Sequence, residues 1–238
     1  MFRRQFMHNY NHYRKGAAML ITTATDAEII EFVRILIVSL GGVKNDLPAS
    51  TITKFNDLYV SERFSECIRE VKNIYRLNLT LRICFVKSYP GADSLRKLIS
   101  DSARKMGYDP HQFGSELQKD LSCAGAFILQ PARLPIYGTP PFENLKLLMF
   151  VFRRVVDVSM ESFIYSIAHE MSHIILNAMR HPLEYNEVAA DLTAMILGFS
   201  ETMKTGRKTD QFSLGYLNNH QFEIAYQEII KYKNVICL

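Results

Sequence analysis

Residues 186–199, "NEVAADLTAMILGF", are apolar nearly all round: Val188, Ala189, Ala190, Leu192, Ala194, Met195, Ile196 and Leu197 leave no solvent face. A helix of that kind has to be buried. Yet Glu187 and Asp191 stand one turn apart on it, on a stripe otherwise made of Ala194 and Gly198. Two like charges one turn apart in a buried helix are costly. Any fold open to this chain must bring partners for both carboxylates into its interior.

The preceding run supplies candidates. On a helical wheel of residues 162–180, Phe163, Ile164, Ile167, Ala168, Met171, Ile174, Ile175 and Ala178 fill one arc, the core face. His169, Glu170 and His173 fall outside it, beside Ser162, Ser166 and Asn177. A solvated face would carry Lys, Glu, Arg and Gln. Small polar residues around two imidazoles look instead like a pocket floor. Histidines at i and i+4 lie on one side, close enough to bind one metal ion. Two nitrogens leave room on zinc for a third ligand and a water, and a glutamate directly after the first histidine can take the proton of that water. The spacing H-E-x-x-H is what metal-activated hydrolysis needs. One of the two downstream carboxylates would bind the metal, and the other would accept the outward N–H of a ligating histidine. Pro182 ends the first helix and lets a short turn bring the two faces together. His181 and Glu184 are rival third ligands in that turn.

Elsewhere the pattern reads as an α+β domain. Thr25 and Glu28 have capping-box spacing before an amphipathic run that Gly41 and Gly42 stop. A second helix is expected over 61–77, a strand over 79–86 and a helix ending at Gly107. Residues 108–123 are ambiguous. "GAFILQP" reads as a short strand, 134–144 as a proline-rich loop and 145–155 as a buried strand. Helices are expected over 159–180, 183–199 and about 219–233. The 238 residues suit a single domain over 26–238, with a helical part at 26–78 and the core at 79–238.

Arg3, Arg4, Arg14 and Lys15 account for the whole +4 charge excess, so nucleic-acid contact is confined to a basic, flexible extension at 1–25. That extension lacks the apolar stretch of a secretory signal. Four scattered cysteines without a C-x-x-C pair suit free thiols in the cytoplasm. No apolar run is long enough to span a bilayer.

"HEMSH" followed by "EVAAD" resembles the zincin metallopeptidases of gluzincin type, H-E-x-x-H and then E-x-x-x-D on the next helix. The short interval between His173 and Glu187 is similar to that of minimal ImmA/IrrE-like peptidases, in which Gly is usual where Ser172 stands. The resemblance implies a zincin-like fold: a small mixed sheet on an active-site helix, with further helices after it. It implies one Zn2+ per chain held by His169, His173 and Glu187, Glu170 as general base, and Asp191 as the partner of His169. A further donor should stabilise the oxyanion, for which Tyr216, His220 and Tyr185 are candidates. The substrate would be a protein or peptide added as a strand to a sheet edge, either 145–154 or "GAFILQ". The competing expectations are a non-catalytic, regulatory zinc protein, and an interaction module that works through its basic N-terminal arm.

Overall fold

Thr25 opens the first helix as its spacing to Glu28 predicts. The computed structural model describes residues 23–87, 91–109, 125–131, 133–207 and 214–233. In it the Thr25 side chain accepts from the Glu28 N–H, and the Glu28 carboxylate accepts from the Thr25 N–H at 2.8 Å. Helix α1 (Asp26–Leu40) runs from this box to Gly41, whose φ of 77° ends it. The expected basic extension lies almost wholly outside the described residues, as do Cys123, Cys237 and most of 108–123.

Helices α2 (Ala49–Val60) and α3 (Phe64–Ile74) follow. Strand β1 (Thr80–Val86), helix α4 (Ala92–Lys105), strand β2 (Ala126–Leu129), the short helix α5 (Pro140–Glu143) and strand β3 (Lys146–Phe152) come next. The strand expected over 145–155 therefore stops early, because Arg153–Val156 turns into a short helix, α6. Helices α7 (Met160–Ala178) and α8 (Glu187–Ala194) carry the residues singled out above. A π-helical segment (Met195–Phe199), α9 (Ser200–Gly206) and α10 (Asn219–Lys233) are the last described elements.

The helix expected over 183–199 is thus shorter at both ends. Asn186 caps it by accepting the Ala189 N–H at 3.0 Å, which leaves Glu184 in the preceding turn. Its far end breaks at Gly198, with φ at 101°. A Cβ there would lie 2.5 Å from the Asn45 carbonyl oxygen, so only glycine admits the 43–47 segment that crosses it.

Among the described residues the fold is a mixed α/β arrangement around a three-stranded sheet of order β1-β3-β2. β1 runs parallel to β3 and β2 antiparallel to it. β3 is therefore the central strand, which corrects the expectation that 145–154 offers a docking edge. One face of the sheet packs through Phe127, Leu129, Phe150 and Phe152 on Leu95 and Ile99 of α4. The other, through Ala126, Ile128, Leu147 and Met149, packs on the main core around α7, with α1, α3 and α8 joined to it. α7 is consequently buried on nearly every side. Among the described residues, no helix is long and apolar enough to cross a membrane.

Candidate metal centre

The pocket-like face of α7 is divided between two uses. Ser162 Oγ donates to the Gly206 carbonyl at 2.7 Å, and Asn177 Oδ1 accepts the Leu134 N–H at 3.0 Å. Those two ends of the face are tied into the fold. Between them Ser166, Glu170 and His173 remain partly accessible, and His169 is turned inward against α8.

There the two helices converge. His173 Nε2 lies 3.2 Å from His169 Nε2, and Glu187 Oε2 is 3.1 Å from each. Among the described residues, this is the one cluster of three groups able to share a metal ion. Its shape can be tested against chemistry. Ligand atoms about 2.0–2.1 Å from a tetrahedral zinc stand about 3.3 Å apart, and the three observed separations come close to that. A deprotonated carboxylate with two imidazole nitrogens is also an ordinary zinc donor set. The residues fit the ion.

Asp191 explains how the ring of His169 is held. Its Oδ1 lies 2.8 Å from His169 Nδ1 and accepts the Tyr165 hydroxyl at 2.9 Å, while Oδ2 accepts the Tyr216 N–H at 2.7 Å. With Nδ1–H given to Asp191, the lone pair of His169 sits on Nε2, facing the other two acceptors. Three lone-pair atoms in mutual contact repel one another unless a cation sits among them. In the metal-free protein protons must serve. Burial alone would lower the affinity of His169 for a proton, but Asp191 and Glu187 outweigh it and hold the imidazole well above its ordinary value. Burial likewise opposes the Glu187 charge, and the hydrogen bonds with His169 and His173 hold that carboxyl well below the usual range.

Tyr216 is brought in by its backbone. Gly215, with φ at 84°, is pressed so close that a Cβ would lie 1.6 Å from the Tyr165 hydroxyl. The Tyr216 ring then stacks on His169, centroids 5.7 Å apart and planes at 26°. Burial, followed by the charges of Glu187, Glu170 and Asp191, pushes its phenol well above the ordinary value, so it stays a hydrogen-bond donor. Glu170 follows His169 on α7, near enough for its charge to act on that phenol.

The remaining candidates lie elsewhere. His220 meets Asp26 at 3.1 Å on an exposed surface. Tyr185 pairs with Glu184 in the field of Arg133 and Arg180. His181 accepts the Leu183 N–H on Nδ1 at 3.1 Å and so presents Nε2–H to Ser39 Oγ, 3.2 Å away. Both its nitrogens are engaged, and the sharing of the triangle falls to Glu187 rather than to His181 or Glu184. Sequence reasoning missed Tyr165, Gly215 and Tyr75. Tyr165 was within reach, because it stands one turn before His169 on the same face. Tyr75 was not: it comes from α3's end to donate to the Ala168 carbonyl at 2.7 Å and to meet Ser172 Oγ at 2.9 Å.

The segment around β2 is anchored on this helix at both of its ends. A Cβ at Gly125, just before β2, would lie 2.9 Å from Ser166 Oγ, and Leu134 is bonded to Asn177. Ser166 and Asn177 share one face of α7, so the segment around β2 meets that face at both ends. The Phe152 N–H donates to the Gly125 carbonyl, so alternate residues of β2 turn to β3. Ala126 and Ile128 turn their N–H and C=O to the other edge, where no strand lies among the described residues.

The chain matches no family model, no curated protein and no solved structure. Geometry alone carries the reading.

Proposed function

We propose that this chain is a zinc-dependent metallopeptidase with a zincin-like arrangement, working in the cytoplasm. The observation that carries the reading is the triangle of His169 Nε2, His173 Nε2 and Glu187 Oε2, with edges of 3.1 to 3.2 Å. These three residues would hold one Zn2+. Bound there, the ion supplies Lewis acidity toward water and toward the carbonyl of a scissile peptide.

The chain's own groups do the rest. Glu170 takes the proton of the attacking water and hands it to the leaving amine. Asp191 keeps the proton of His169 on Nδ1, which leaves Nε2 free to ligate. The Tyr216 hydroxyl donates to the carbonyl oxygen as negative charge develops on it. A peptide substrate adds as a strand to the edge of β2 that no described strand occupies, bonding to Ala126 and Ile128. Free thiols at Cys67 and Cys84 fit a reducing compartment.

Glu170→Gln tests the assignment. Digests of a peptide library, read by mass spectrometry, should show cleavage reduced by about 10²- to 10⁴-fold, with bound zinc unchanged. Equal cleavage by the variant would refute the role given to Glu170. A wild-type protein that retains its zinc but leaves the library intact would favour a regulatory zinc protein.

A further inference from the structure

Arg207 is a buried cation, 3% exposed, and among the described residues it forms no ion pair. It sits at the end of α9, where Gly206 is drawn tightly against α7: a Cβ at Gly206 would lie 2.5 Å from the Glu161 carbonyl. From there the guanidinium reaches the carbonyls of Leu217 and Asn218, the latter at 3.3 Å, and lies over the Phe222 ring at 4.6 Å. Its own backbone carbonyl accepts the Leu214 N–H at 3.3 Å. Arg207 therefore grips both ends of 214–218, the segment whose middle carries Gly215 and Tyr216.

Burying a guanidinium with no ion-paired carboxylate among the described residues is costly, and burial pulls its proton affinity down, which Tyr165 and Asp191 offset only in part. An apolar residue would cap α9 and fill the space more cheaply. What it could not do is bond two successive carbonyls from one planar fork. That fork decides where the strap lies, and the strap decides where Tyr216 lies.

We propose that Arg207 is a positioning residue, which clamps 214–218 so that the Tyr216 N–H meets Asp191 and its ring covers His169. The inference rests on the peptidase reading only for the use made of Tyr216. The clamp itself can be tested without any reaction.

The chain contains no tryptophan, so Tyr216→Trp introduces a single indole emitter at the strap. In that background the indole, at a position 42% exposed, should be quenched by acrylamide only in part, because one of its faces lies on His169. Adding Arg207→Gln should raise its quenching by up to about twofold, as a side chain 42% exposed becomes fully so, and shift its emission to the red, with zinc content unchanged. Arg207→Lys, which keeps the charge but not the fork, should behave in the same direction. A residue serving the core alone would lower the melting temperature and leave the quenching as it was. Unchanged quenching in a folded Arg207→Gln or Arg207→Lys protein overturns the proposal, and so does failure of both to fold. Absence of bound zinc in every variant would defeat the peptidase reading and leave the clamp result standing.

Discussion

His169 and His181 are both buried, at 8% and 4% exposure, yet they are driven in opposite directions. His169 lies between two carboxylates, and they hold its imidazole well above its ordinary value despite burial. Among the described residues His181 meets a serine hydroxyl and a backbone N–H, and burial lowers it to about 4. Both rings lose water. The difference is whether the replacement partners are ionised, which makes one corner a site that could hold a cation and the other a neutral fixture.

The contrast is broken most severely by removing a ligand. Glu187→Ala should lower zinc affinity by more than the roughly 100-fold that loss of an outer partner costs, whereas His181→Gln should keep one zinc per chain; metal content after dialysis against a chelator checks both. Asp191→Ala strips the acceptor from His169, Tyr165 and the Tyr216 N–H at once. It should destabilise the fold by about 3–5 kcal/mol in urea unfolding and weaken zinc binding by about 10- to 100-fold.

Acid should act on the other corner. His181 takes up a proton near pH 6.5 when unfolded but only near 4 when folded. Its neutral form therefore contributes stability that is complete above about pH 6.5 and is lost as the pH falls toward 4. The gap corresponds to about 3 kcal/mol. Urea titrations should show this loss in the wild type and a shallower one in His181→Gln. Ser39→Ala, which removes only the acceptor of a neutral N–H, should cost about 1 kcal/mol and leave zinc binding untouched.

How legible all this was depended on how local the cause was. The capping box at Thr25, the i, i+4 histidines and the Glu187–Asp191 pair are set within one or two turns, and each stands in the structure as its spacing predicts. Helix α2 was not singled out within the helical part expected at 26–78. It begins after Pro48 with no side-chain cap, runs through β-branched Thr51, Ile52 and Thr53, and buries only Phe55 and Leu58. The break at Gly198 was equally hidden, since the 43–47 segment that requires it lies about 150 residues away in the chain. The centrality of β3 is a property of pairing order, which no single strand records.

The sequence by itself determined that two helices carry ionisable groups which an apolar interior cannot tolerate alone, because helical spacing and burial follow from neighbours along the chain. Tertiary structure alone decided which groups meet. It turned Glu187 rather than Glu184 toward the histidines, gave His181 to Ser39 and His220 to Asp26, and brought Tyr216 over His169 through Gly215 and Arg207. Those outcomes depend on distances between distant segments, and such distances exist only after the core has packed.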